Sequence, residues 1–144
     1  MRVLVNGGDD GFRMLLRLML ARLGCEAVIV PDGENNLALI ETHQPQVVVV
    51  HERLSTPHSA EETLRWIQDR STVRGINTVL IVFRRRPPAQ LLDLADGVLR
   101  APVVMRDLAA TLAPFADSDL AARYQEYAAG GPWPGRDHSH MWSR

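Results

Sequence analysis

The sequence predicts an open α/β fold, in which a parallel sheet carries helices on both faces. Four consecutive valines, Val47 to Val50, form a β-branched run without polar alternation, which is typical of a strand buried on both faces. Short apolar runs alternate along the chain with amphipathic stretches. Strict alternation with short connections gives parallel strands joined by right-handed crossovers. The chain has 144 residues, enough for one such domain with a full core.

In the first half of the chain, strands alternate with two helices. The strands are predicted at Arg2–Asn6, Ala27–Val30 and Val47–His51, and the helices at Asp10–Leu23 and Asn35–His43. Asp9 or Asp10 can cap the first helix at its N-terminus, and Gly24 ends it. Its core-facing stripe is predicted to consist of Phe12, Leu15, Leu16, Met19, Leu20 and Leu23.

The second half of the chain continues the alternation. Helices are predicted from Ser59 to about Arg70, at Gln90–Leu94 and at Met105–Ala113, and strands at Thr78–Phe83 and Gly97–Arg100. Ser59 followed by Glu62 is a capping-box pattern, which marks a helix start. Five strands and five helices in this order predict a flavodoxin-like, doubly wound, five-stranded parallel sheet.

The remaining residues predict an extra helix and a tail. Residues 1–116 form the domain, 117–130 an added C-terminal helix that Gly130 stops, and 131–144 a flexible tail of polar, proline and glycine residues. The helix spaces Leu120, Tyr124 and Tyr127 on one face. That face either packs back onto the domain or binds a partner, with Trp133 and Trp142 as further aromatic anchors.

Composition excludes several classes of function. The net charge is −1, which provides no general attraction for nucleic acid or an anionic membrane. All sixteen basic residues are arginines, so lysine-dependent chemistry is absent. Cys25 is the only cysteine, which precludes an internal disulfide. No apolar run reaches the length of a membrane helix and no signal peptide is apparent, so we expect a cytoplasmic protein.

Several segments resemble the receiver domain of bacterial response regulators. Val3-Leu4-Val5 followed by a polar loop is similar to the family's first strand. The run from Gln44 to Val50 matches the third strand, and Ala95 to Pro102 resembles the fifth strand with its proline. The similarity covers roughly residues 2 to 115. It implies a signalling module that binds other proteins, with a cis peptide before Pro102.

The family's active-site residues have no counterparts here. The paired acids that bind Mg²⁺ in the family fall at Gly7 and Gly8, and His51 replaces the phosphoacceptor aspartate. The serine or threonine after strand four falls at Val82 or Phe83, and the lysine before Pro102 is Ala101. Phosphoryl transfer needs a carboxylate nucleophile, an oxygen-ligated cation and a second cation for the phosphoryl oxygens. The resemblance therefore implies a degenerate, or pseudo-receiver, domain without cofactor or metal.

His51 stands where this fold class places its chemistry, beyond the carboxyl end of a central strand. It could be a ligand, a phosphoacceptor or a base, or a polar residue that closes the strand by hydrogen bonding. Glu52 and Arg53 are expected to be solvated loop charges. No set of nucleophile, base and orienting group can be traced from His51 to Asp9 or Asp10, so the sequence predicts no enzyme.

Two further segments are candidate binding sites. Arg84, Arg85 and Arg86 follow the fourth strand and could bind an anion or an acidic partner. The loop that begins at Gly7-Gly8 precedes a helix and could approach phosphate, although turn geometry alone also explains it.

Three functions follow from these patterns. The first is a stand-alone, phosphorylation-independent adaptor that binds a kinase, a regulator or a second copy. It would use the face of the fourth helix, fifth strand and fifth helix, or the tail. The second is a sensor of a nucleotide-like anion at the sheet edge. The third, an enzyme that uses His51 with Asp9 or Asp10, is disfavoured because no complete catalytic set can be traced. No basic recognition helix is present, so direct DNA binding is not expected.

Overall fold

A computed structural model describes residues 1–31, 33–53 and 58–133, with the backbone alone for 71–74. Five strands form one parallel sheet: β1 (Arg2–Asn6), β2 (Glu26–Ile29), β3 (Val47–His51), β4 (Asn77–Val82) and β5 (Gly97–Arg100). Their order across the sheet is β2-β1-β3-β4-β5. The predicted flavodoxin-like topology is confirmed, and the strand boundaries agree with the predicted ones to within one residue.

In the described part of the chain, six α-helices connect the strands and follow them: α1 (Asp10–Arg22), α2 (Asn36–His43), α3 (Ala60–Arg74), α4 (Ala89–Asp93), α5 (Met105–Leu112) and α6 (Ser118–Ala128). The cap of α1 is Asp9, whose carboxylate accepts the Phe12 N–H at 2.7 Å. The Ser59 hydroxyl caps α3 by accepting the Glu62 N–H, as the capping-box pattern predicts. Among the described residues, no helix combines the length and the apolar character that crossing a bilayer requires.

The two faces of the sheet carry separate apolar cores. One core joins β-strand residues such as Val49 and Ile81 to α1, α5 and α6. The other joins Val48, Val50 and Leu80 to α2, α3 and α4. The valine run of β3 supplies side chains to both cores in alternation, and all four valines are completely buried. This two-sided burial is the reason for the unbroken apolar run.

The structure corrects the predicted stripe of α1 at one position. Leu15 is 53% exposed, whereas Leu16, Met19 and Leu20 fill the core. The predicted stripe spanned a wider arc than the sheet can cover, because one face of a helix contacts the strands beneath it. Leu15 lies at the edge of that arc and points to solvent together with Met14 and Leu18.

The added helix belongs to the domain's core. Tyr124 of α6 is completely buried, and its hydroxyl donates to the Leu23 carbonyl at 2.7 Å. Leu120, Tyr127 and Trp133 pack against the same core, with Trp133 stacked 5.6 Å from the Tyr124 ring. Of the two alternatives for this aromatic face, the structure therefore shows packing on the domain. Trp142 lies outside the described residues.

Candidate functional site

The candidate residues that the sequence predicts at the strand ends lie at one edge of the sheet, whereas Leu120, Tyr124, Tyr127 and Trp133 pack on the core beneath α6. Gly7 and Gly8 follow β1, His51 ends β3 and Phe83 follows β4. Ala101 and Pro102 follow β5, and the peptide bond between them is cis, in agreement with the resemblance. This edge lies beyond the carboxyl ends of the strands, where open α/β sheets bind ligands.

Aromatic rings enclose the His51 side chain. The Phe12 ring of α1 meets the imidazole edge-on at 4.9 Å between centroids, and the Phe83 ring stacks on it at 5.7 Å. The Arg53 guanidinium lies 3.9 Å from the centroid of Phe83 and extends the stack. His51 is only 9% exposed. The end of β3 therefore presents an apolar, ring-filled surface.

The chemical state of His51 follows from these contacts. Burial lowers the pKa of the imidazole below its ordinary value, so the ring is neutral at pH 7. Its Nδ1 accepts the Arg53 N–H at 2.9 Å, which places the proton of the neutral ring on Nε2. This is the strand-closing role that the sequence left open as one alternative for His51.

The glycine loop after β1 leaves room for Phe12. Gly7 and Gly8 have φ angles of 88° and 81°, a conformation that favours glycine. A Cβ built on Gly8 would lie 2.4 Å from Cδ1 of Phe12. The Gly8 N–H donates to the Arg53 carbonyl at 3.1 Å, so this amide is already used within the protein. The loop serves ring packing and turn geometry.

Glu52 joins the ends of β3 and β4, which corrects the expectation of a solvated charge. Its side chain is 1% exposed, although its backbone is more open. The carboxylate accepts the Phe83 N–H at 3.1 Å and the Arg84 N–H at 3.4 Å, and it pairs with the Arg84 guanidinium. Burial raises the pKa of this carboxyl, but the hydrogen bonds and the guanidinium outweigh burial and hold the pKa below its ordinary value.

In the run Arg84 to Arg86, one arginine forms an ion pair and the other two are exposed to solvent. Arg84 pairs with Glu52, while Arg85 and Arg86 are exposed and make no ion pair within the described part of the chain. Arg100 of β5 donates to the Arg84 carbonyl at 2.9 Å and is also exposed. The structure thus gathers a basic edge, defined as Arg85, Arg86 and Arg100, beside the ring-filled cleft.

The described residues at this edge do not fit a divalent cation. Mg²⁺ requires oxygen ligands in an octahedral arrangement. Gly7 and Gly8 supply no carboxylate after β1, and the Phe12 ring fills the space that a side chain on Gly8 would enter. Across the described residues, no group of three or more histidine, cysteine, aspartate or glutamate side chains could hold a metal ion.

Comparison with known proteins defines the fold. No protein-family profile and no curated protein sequence matches the chain. Solved structures do match. They include the receiver domain of a Pseudomonas aeruginosa sensor histidine kinase with magnesium in its active-site cleft, at 16% identity and a TM-score of 0.65, over 79% of this chain and 95% of that one.

Two further structures extend the comparison. The signal receiver domain of a Syntrophus aciditrophicus histidine kinase has 14% identity and a TM-score of 0.66, over 79% of this chain and 88% of that one. A CheY-like receiver domain protein from Methanospirillum hungatei has 21% identity and a TM-score of 0.61, over 74% and 86%. The chain therefore has the CheY-like receiver fold.

Sequence reasoning missed two contributors to this edge, Phe12 and Glu52. The helical spacing predicts only that Phe12 belongs to the apolar stripe of α1. Gly8 was the available signal, because a glycine there leaves space for a side chain to pack closely against the loop. Glu52 and Arg84 follow two strands of one parallel sheet. Their opposite charges at equivalent strand ends could have predicted the ion pair, once β3 and β4 were known to be neighbours.

Proposed function

We propose that this chain is a receiver-like signalling protein that acts by binding a partner protein, without phosphoryl transfer. The observation that carries the proposal is the stack of Phe12, His51 and Phe83 at the end of β3. In this stack a neutral imidazole takes the position of a carboxylate nucleophile, and a phenyl ring takes the space beside Gly8. A phenyl ring cannot accept a phosphoryl group, and the described residues hold no cluster of acidic side chains that would bind a cation and orient a phosphoryl donor toward His51.

A protein ligand suits the open surface better than a small molecule does. Packed rings fill the end of β3, whereas the basic edge and Val98 of β5 are exposed on the neighbouring side. Val98 is 42% exposed and lies between α4 and α5 in chain order. We propose that this α4-β5-α5 side binds a partner with acidic residues, such as a kinase or a regulator, in the cytoplasm.

The anion-sensor alternative has less support. It required Arg84 and the N–H groups of the glycine loop to face one ligand. Glu52 neutralises Arg84, and the Gly8 N–H is donated to Arg53. Among the described arginines of this edge, Arg53 stacks on Phe83, so Arg85, Arg86 and Arg100 remain for an anion, and all three side chains lie on an open surface.

The chemical half of the proposal is tested by incubating the purified protein with acetyl phosphate and Mg²⁺ and measuring its intact mass. We expect no mass increase, either in the wild-type chain or in His51→Asp, because the second variant restores the nucleophile without a cation site. A receiver domain of known phosphorylation serves as the positive control. Phosphate on the wild-type chain would overturn the proposal.

The binding half is tested by affinity capture from host lysate. We expect the wild-type chain to retain a specific protein that the double variant Arg85→Glu, Arg86→Glu loses. Arg65→Glu is the matched control, since it reverses a charge on α3 at a cost of only a few tenths of a kcal/mol. Equal capture by all three proteins would contradict a role for the basic edge.

A further inference from the structure

The outer face of α1 carries an exposed apolar cluster. Met14, Leu15 and Leu18 are 60%, 53% and 57% exposed. They are three of the five large hydrophobic residues exposed in the described part of the chain, and they lie on adjacent turns of one helix. Single exposed apolar side chains are ordinary, but a contiguous cluster marks an interaction surface.

The side chains of this cluster do not contribute to the core of the domain. Leu16, Met19 and Leu20 already fill the inner face of α1 and are buried against the sheet. One turn before Leu15, Gly11 leaves a shallow place in the same outer face. A Cβ on Gly11 would have a single neighbour within 4 Å, the Asp9 carboxylate at 3.4 Å, so the surface above it is open.

Charges of both signs line one edge of the cluster. Asp10 and Arg17 are seven residues apart, which places them on the same side of the helix. The Asp10 side chain is 96% exposed although it contacts the Arg13 guanidinium. Arg17 is exposed and has no ion-pair partner among the residues that the structure describes.

We propose that this face binds a second copy of the chain, with the two α1 helices antiparallel about a two-fold axis near Met14 and Leu15. In that arrangement Leu18 of each copy meets the open surface at Gly11 of the other, and Met14 meets Leu15. The same axis brings Asp10 of each copy to Arg17 of the other. The interface is isologous and closes on itself as a dimer.

The pattern of charge favours a second copy over an acidic or a basic helix from another protein. A purely acidic partner would pair with Arg17 but place like charge against Asp10, and a basic partner would do the reverse. The face itself supplies both signs at the spacing that an antiparallel copy needs. The dimer also leaves the basic edge at Arg85 and Arg86 free, so the inference does not depend on the proposed function.

The test is sedimentation velocity of the full chain from about 1 μM to about 1 mM, the range in which small interfaces assemble. We expect the mass to rise with concentration from that of the 16.1 kDa chain to twice that value. Leu18→Glu should weaken the dimer at least about tenfold, because it buries a charge where Leu18 meets Gly11 of the other copy. Circular dichroism verifies that the fold persists.

Two sets of variants test which surface forms the dimer and whether the two α1 helices are antiparallel. Val98→Glu adds the same charge at the exposed β5 position and should leave the dimer unchanged. Arg17→Asp should weaken the dimer, and the double variant Asp10→Arg, Arg17→Asp should strengthen it again relative to Arg17→Asp. Three outcomes would each overturn the inference: a monomer at every concentration, a dimer sensitive only to Val98→Glu, or capture of another protein's helix on α1 without self-association.

Discussion

At the residue scale, single side chains decide what the end of β3 can do. His51 is held neutral between two phenylalanine rings. The next two residues are also engaged, since Glu52 accepts the Phe83 N–H and Arg53 donates its N–H to His51. A buried neutral ring stabilises the cleft by packing, whereas a carboxylate there would need a cation to offset its desolvation. His51, Phe12, Phe83 and Glu52 therefore form a packed structure at the end of β3.

The first prediction concerns Gly8 and Phe12. Gly8→Ala should destabilise the protein more than Gly24→Ala, although both positions have φ near +80°. The backbone conformation costs about 1–2 kcal/mol at either site. Only Gly8 adds a contact with the Phe12 ring, which costs roughly a further 1–3 kcal/mol for overpacking, since nothing lies within 4 Å of a Cβ on Gly24. Urea unfolding measures both, and equal losses would contradict the close packing of Phe12.

The second prediction concerns Glu52 and pH. Because its folded-state pKa is depressed, the carboxylate stabilises the fold fully above about pH 4.3 and loses this effect as the pH falls through the folded-state pKa. Glu52→Gln should cost about 1–3 kcal/mol in free energy of unfolding at pH 7. The difference from wild type should shrink below about pH 4.

Unfolding by urea between pH 3 and pH 7 (limits that bracket the roughly normal carboxyl range) measures this difference. The matched control is Glu61→Gln, which removes an exposed carboxylate that pairs with Arg65 on α3. Its loss should stay within about 0.5 kcal/mol at every pH. A pH-independent effect of Glu52→Gln would show that the charge of Glu52 does not stabilise the turn.

At the element scale, α6 is a structural helix and not a free arm. Tyr124 reaches the end of α1 through its hydroxyl, and burial raises the pKa of that phenol well above its ordinary range. The Arg106 guanidinium of α5 bonds the Tyr127 and Gly131 carbonyls and lies 4.4 Å from the Tyr127 ring centroid. These contacts close the C-terminal end of α6 against α5. Removing residues after Ala116 would therefore expose core surface.

The third prediction separates the Tyr124 hydroxyl from its ring. Tyr124→Phe should cost about 1 kcal/mol, because the Leu23 carbonyl loses a buried donor. Tyr124→Ala should cost about 3–5 kcal/mol, since it also leaves a cavity. Tyr127→Phe is the control, because its hydroxyl makes no hydrogen bond to the described residues. Thermal unfolding ranks the three variants. A negligible effect of Tyr124→Ala would mean that α6 is not part of the cooperative core.

At the scale of the whole molecule, the described residues form the complete CheY-like sheet order and two apolar cores. This scaffold holds the α4-β5-α5 side that we propose as the partner-binding surface. The proposed contacts are on separate surfaces, with the basic edge near β4 and β5 and the apolar cluster on α1. A dimer formed through α1 would display two basic edges, and such bivalency increases the apparent affinity for a multivalent acidic partner.

The sequence by itself determined the architecture. Val47 to Val50 required a strand covered on both sides, and the alternation of elements allowed one simple topology. These signals are local, because hydrophobic periodicity and helix-capping residues can be recognised within short stretches of the sequence. The residues at the strand ends, among them Gly7, Gly8, His51 and Ala101, could also be read directly, since they are a matter of residue identity.

Only the tertiary structure decided where the side chains at element ends and on the outer faces point. Leu15 and Leu16 are both apolar, and the position of the sheet beneath α1 makes one exposed and the other buried. Tyr124 became core because α6 returns to Leu23, about a hundred residues earlier in the chain. Glu52 became an anchor because β4 lies next to β3. Contacts between residues distant in the chain depend on how the elements pack, and no short pattern in the sequence records that packing.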